Sequence, residues 1–78
     1  MARAKYLLVA DDIIRKIKSG ELKPGDQIPS ATEFREQYKV SAMVVRNAVI
    51  FLKAKNFIEG VPGVGRFVVD HPPMDYEE

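Results

Sequence analysis

The chain has no cysteine, no tryptophan and a single histidine, His71. Without thiols there is no disulfide framework and no thiolate metal site, which suits a reducing compartment, the cytoplasm. One histidine in a proline-rich segment offers neither a metal cluster nor a base beside a nucleophile, so no enzyme chemistry and no cofactor are expected. Long apolar runs are missing too. The opening MARAKYLLVADD sets a short apolar stretch between Lys5 and Asp11, too brief and too charged for a signal peptide or membrane span. Length is also scarce: 78 residues make one small domain, which buries only about 60% of the surface of its unfolded chain. Hydrophobic residues at 46% and charged residues at 29% are those of a folded domain rather than a disordered segment.

Charge of one sign is lacking overall, since 12 Lys and Arg face 11 Asp and Glu. The distribution is uneven. Residues 1–69 hold all twelve cations against seven acids, a balance of +5, while Asp70, Asp75, Glu77 and Glu78 load the tail. A basic body with an acidic tail permits nucleic-acid binding without demanding it.

What is present is periodicity. Tyr6, Val9, Ala10, Ile13, Ile14 and Ile17 recur at three- and four-residue spacing, which predicts a first helix over Lys5–Ser19, ended by Gly20. Asp11 and Asp12 diverge by roughly 100° on that helix and are read as a solvated face rather than a metal site. Pro24-Gly25 signals a turn, with Leu22 and Ile28 pointing inward and Gln27-Ile28 as a very short strand. Ser30 and Glu33 make a capping box that opens a second helix, anchored by Phe34 with Ala31 and Tyr38 as neighbours. Lys39-Val40 forms a turn with Val40 buried, and Ser41 caps a third helix over Ala42–Lys55 whose Val45, Ala48, Val49 and Leu52 face the core. Asn56 suits the left-handed conformation that ends it. Residues 57–70 read as a β-hairpin with a five- or six-residue loop. Gly60, Gly63 and Gly65 do not match the phosphate-binding G-x-G-x-x-G spacing, and no helix start follows them. HPPMDYEE, with two prolines and little to bury, reads as a flexible acidic tail or linker stub over 70–78.

The expected fold is therefore mostly α with a small β-hairpin: a winged helix-turn-helix of three helices and a two- or three-stranded wing, over residues 1–69. The residues also resemble one family, the gluconate-repressor-type (GntR) bacterial transcription regulators, from about Tyr6 to Val69. The resemblance lies in Ser19-Gly20-x-Leu22-x-Pro24-Gly25-x-x-Ile28-Pro29-Ser30, in Val40-Ser41, and in Val45-Arg46-x-Ala48-Val49-x-x-Leu52. The wing adds Phe57-Ile58-Glu59 and Gly63-x-Gly65-x-Phe67-Val68. It implies a DNA-binding repressor whose third helix enters the major groove, whose second helix starts on a backbone phosphate and whose glycine-rich wing tip reaches the minor groove. Side-chain-free glycines suit that close approach.

The departures fall on the expected DNA face. Where the family has Pro-Ser-Glu-Arg, this chain has Pro29-Ser30-Ala31-Thr32; where it has Ser-Arg-x-Thr-Val-Arg, this chain has Ser41-Ala42-Met43-Val44-Val45-Arg46. The basic and polar pair before the wing glycines is Val61-Pro62, and Arg66 stands in place of a threonine. Two arginines are missing, at roughly 1.5–3 kcal/mol for each charge-assisted hydrogen bond. The DNA-binding candidates that remain are Thr32, Arg35, Lys39, Ser41, Arg46, Asn47, Gly63, Gly65 and Arg66, joined by Ala42, Met43 and Val44 as apolar contacts to thymine methyls. Arg46 matches the family's arginine directly, and Asn47 has the chemistry to read adenine. Arg35, Lys39, Lys53 and Lys55 also fit a solvated surface.

Two functions stay open: sequence-specific binding of double-stranded DNA, or a winged-helix protein-interaction module with an eroded DNA face, marked by the apolar Met43, Val44, Ile50 and Phe51. Related regulators carry a C-terminal effector and dimerisation domain. No small-molecule effector pocket is expected in these 78 residues, and a single copy reaches one half-site, so self-association or a protein partner would serve occupancy. The acidic tail is a candidate to fold over the basic face.

Overall fold

The computed structural model describes residues 3–77 as three helices followed by two strands. Helix α1, Lys5–Ser19, has the predicted bounds. Val9, Ala10, Ile13, Ile14 and Ile17 are buried along its inner stripe, and Gly20 closes it at φ 87° with its N–H on the Ile17 carbonyl. A first tight turn follows. Pro24 precedes Gly25 at φ 88°, and the Asp26 N–H donates to the Lys23 carbonyl at 2.9 Å, the arrangement of a type II turn.

Helix α2, Ala31–Tyr38, starts with the full capping box: the Glu33 N–H donates to Ser30 Oγ and the Ser30 N–H to Glu33 Oε1. The Ser30 N–H, and then the Ser30 side chain, hold the Glu33 carboxyl below the usual carboxylate range. Phe34 is completely buried, and Tyr38 stacks on it with ring centroids 5.7 Å apart. Ala31, expected to pack beside Phe34, is exposed instead, because it lies on the first turn facing the opening between α2 and the wing. Lys39 takes the left-handed conformation at φ 56°. Helix α3, Ala42–Ala54, is capped by Ser41, whose hydroxyl accepts from the Val44 N–H. It buries Val45, Ala48, Val49 and Leu52 as the spacing predicts, and Asn56 is left-handed at φ 66°.

Strands β1, Ile58–Val61, and β2, Gly65–Val68, pair antiparallel with Ile58 opposite Val68 and Val61 opposite Gly65. The loop is Pro62–Val64, shorter than the five or six residues expected. Gly60, Val61 and Gly65 join the ladder, and a second Pro-Gly turn closes it with the Val64 N–H on the Val61 carbonyl at 3.0 Å. The third strand shrinks to a single bridge between Gln27 and Phe67, flanked by Ile28 N–H to the Arg66 carbonyl and Val68 N–H to the Asp26 carbonyl. These bonds tie the wing to the segment that precedes α2.

Three sequence expectations change. Asp11 is 5% exposed and not solvated; Arg3 reaches it with two nitrogens, at 2.9 and 3.2 Å. Asp12 is half-buried and accepts the Tyr38 hydroxyl at 2.5 Å, with Arg15 and Lys16 at 2.8 and 3.5 Å. Burial raises its carboxyl, but the Tyr38 hydrogen bond and the two cations outweigh that and hold it below its ordinary value. Burial, then the bond to Asp12, pushes the Tyr38 phenol well up. The tail holds something to bury after all. Tyr76 meets Phe57 edge-to-face at 5.4 Å, and Lys18 Nζ donates to its carbonyl and sits over its ring.

Candidate nucleic-acid interface

Helix α3 offers two faces outside the core, separated by roughly 100° per residue. The outward stripe is built on Met43, with Arg46, Asn47 and Ile50 at three, four and seven residues further on. Met43 and Ile50 are 61% and 54% exposed, and Arg46 is exposed. The second face, at four and eleven residues beyond Ala42, carries Arg46 and Lys53 towards the wing. There a cleft of about 340 Å³ is lined by Ala31, Ala42, Arg46, Ile50, Lys53 and Arg66, over a floor of Val45 and Val49. Three cations line it and no carboxylate does. Around the corner, Lys53 and Arg66 also line the groove formed by Gly60–Gly65.

The predicted contacts are thus sorted by the fold. Arg46, Ala42 and Arg66 share the cleft, and Gly63, Gly65 and Arg66 share the wing groove. Thr32, Arg35 and Lys39 line a separate shallow groove on α2 with Glu36, whose charge opposes phosphate there. Ser41 is exposed, but its hydroxyl oxygen is engaged in capping. Asn47 is half-buried on the side of Tyr6 and Phe51, away from the cleft. Val44 is half-buried against the core, so only part of it faces out. Phe51 likewise packs inward, with its ring against Tyr6.

Ion pairing divides the cations into two groups. On the α1 side Arg3, Arg15 and Lys16 are matched to Asp11 and Asp12. Among the described residues Arg35, Lys39, Arg46, Lys53 and Arg66 form no ion pair. Lys5, Lys18, Lys23 and Lys55 form none either, so what sets Arg46, Lys53 and Arg66 apart is that they share a cleft no carboxylate lines. Sequence reading missed two members of this surface, Lys53 and Gly60. The available signal was the seven-residue interval from Arg46 to Lys53, which puts both on one helix face. None of the residues lining the cleft comes from 70–77. Among the described residues no cluster of His, Cys, Asp and Glu is placed to hold a metal, and no helix is long and apolar enough to cross a membrane.

Comparison with known proteins agrees with this geometry. Residues 5–68 match the family described as bacterial regulatory proteins, gntR family. The mannosyl-D-glycerate transport/metabolism system repressor MngR of Escherichia coli K12 is 36% identical over 63 residues, covering 81% of this chain and 26% of that protein. The arabinose metabolism transcriptional repressor of Geobacillus stearothermophilus is 32% identical over 71 residues, or 91% and 20% of the two chains. The chain thus spans about a quarter or less of these relatives. Among solved structures, the DNA-binding domain of AraR in complex with operator ORR3 superposes with a TM-score of 0.83 at 30% identity, covering 88% of this chain and 83% of that one. A transcriptional regulator from Oenococcus oeni superposes with a TM-score of 0.87 at 31% identity, covering 91% and 59%. With three helices, a paired wing and a family match across residues 5–68, the chain belongs to the gntR family of bacterial regulatory proteins.

Proposed function

We propose that this chain is the sequence-specific, double-stranded-DNA-binding part of a cytoplasmic transcriptional repressor. The observation that carries this reading is the acid-free cleft between α3 and the wing, lined by the unpaired Arg46, Lys53 and Arg66. A cationic concave surface beside an exposed helix is suited to a phosphate backbone flanking a groove, with the helix at the base edges. Met43, Ala42 and Ile50 give that helix an apolar outer face suited to thymine methyl groups, and Arg46 supplies charge and a fork of donors for guanine or phosphate. Thr32, Arg35, Lys39 and the Ser41 turn add backbone contacts at the start of α2 and α3, and the Gly63 and Gly65 backbone suits close approach to the sugar-phosphate rails.

The exposed Met43 and Ile50 also suit a protein interface, as in an interaction module. The acid-free cleft beside them favours the DNA reading, because a phosphate backbone supplies the countercharge that Arg46, Lys53 and Arg66 lack. Fluorescence anisotropy with an A·T-containing duplex at several salt concentrations tests the choice. Binding that weakens with salt, and weakens at least tenfold in Arg46→Ala, is expected. No binding at low salt, or indifference to Arg46→Ala, would establish the interaction module instead.

A further inference from the structure

We propose that Lys53 and Arg66 form a two-pronged phosphate clamp where the end of α3 meets the wing, gripping the duplex backbone at a point separate from the Arg46 contact. The inference rests on the DNA reading above and adds a site at the far end of the helix. Its first support is position. Among the described residues, Lys53 and Arg66 alone line both the cleft and the wing groove, so they stand on the ridge between them. Lys53 comes from the last turn of α3 and Arg66 from β2, and the Gly60 backbone lies between their side chains. A Cβ on Gly60 would stand 3.2 Å from Lys53 Nζ and 4.0 Å from Arg66 Cγ. The absence of a side chain there lets the Lys53 ammonium lie close over the Gly60 backbone, beside Arg66.

The second support is hydrogen bonding. Arg66 is half-buried, and its Nε is a buried nitrogen with no hydrogen-bond partner among the described residues. Buried donors nearly always have an acceptor. No carboxylate lines either groove to meet Lys53 or Arg66, so the protein itself withholds both the acceptor and the countercharge. A phosphate diester supplies the countercharge, with two oxygens suited to the outer donors of a guanidinium and to an ammonium. The third support is rigidity. Arg66 sits opposite Gly60 in the ladder, and its carbonyl accepts the Ile28 N–H at 2.9 Å. One prong is thereby fixed to the wing and the other to the helix, so gripping a phosphate locks the angle between them.

The test is anisotropy with a duplex of unrelated sequence, read as the slope of log affinity against log salt for the whole chain. Lys53→Gln and Arg66→Gln are each expected to lower the slope by about 0.9 and the affinity by about tenfold. Lys53→Arg and Arg66→Lys, which keep the charge, should hold the slope of the original chain. Gly60→Glu places an acid between the prongs and should match the double glutamine variant. Lys23→Gln, in the exposed turn away from both grooves, controls for loss of one charge, and circular dichroism confirms that each variant folds. If the duplex binds and Lys53→Gln and Arg66→Gln do no more than Lys23→Gln, the clamp is refuted while the DNA reading stands. If the original chain binds no duplex at low salt, both fall together.

Discussion

Removing one oxygen from Tyr38 should expose how α1 and α2 are held together. The Tyr38 hydroxyl donates to Asp12 at 2.5 Å, and Lys16 and Arg15 complete a four-residue polar junction beside the buried Phe34. Tyr38→Phe keeps the stacked ring and deletes only the donor. A hydrogen bond to a charged acceptor contributes about 1.5–3 kcal/mol. The Asp12 side chain is 29% exposed, so water takes up part of the loss, and about 1.5 kcal/mol is expected. For a domain of this size that lowers Tm by about 6–12 °C. The pH dependence gives the sharper check. Asp12 has a depressed folded-state pKa, so its contribution is complete above its unfolded value, about 3.9, and fades as pH falls through the lower folded value. Tyr38 is shifted upward, so its contribution is complete below about pH 10 and fades at more alkaline pH. Urea unfolding from pH 3 to 10.5 should therefore show a Tyr38→Phe deficit that is flat between roughly pH 5 and 9.5 and shrinks at both ends. A deficit that persists unchanged at pH 3 would refute the Asp12 partnership, and one below about 0.5 kcal/mol would show that water replaces the hydroxyl freely.

Two further outcomes bear on the ends of the molecule. Tyr76 covers the fully buried Phe57, so deleting residues 71–78 or making Tyr76→Ala should cost about 1–2 kcal/mol in urea unfolding, with duplex affinity unchanged. A gain in affinity would mean that the tail does shield the basic face. At the wing, Gly65 has φ 144°, and the Gln27 carboxamide, which donates to the Val64 carbonyl, occupies the space where a Cβ would stand. Gly65→Ala should destabilise by about 1–3 kcal/mol, whereas Val64→Ala, at an exposed neighbour, should be nearly neutral by the same measurement.

Much of this molecule was legible residue by residue. The bounds of α1, the two serine caps, the inner stripe of α3 and the Pro24-Gly25 turn depend on local rules, namely helical period, free backbone amides and allowed φ, and these act within a few residues. Resemblance to the family also marked Arg46, Ala42 and Arg66 as a possible face, since each stands at a position the family uses towards DNA. What it could not supply was pairing. Asp11 and Asp12 look like a solvated face until Arg3 and Tyr38, eight and twenty-six residues away, are brought to them. Tyr76 looks like tail until Phe57 meets its edge. The same applies to the interface. Which of the twelve cations are neutralised and which stand free, and that Lys53 joins Arg66 across Gly60, follow from how α3 and the wing pack. Charges and ring contacts act through space, over a few ångströms, between residues that the chain order keeps far apart.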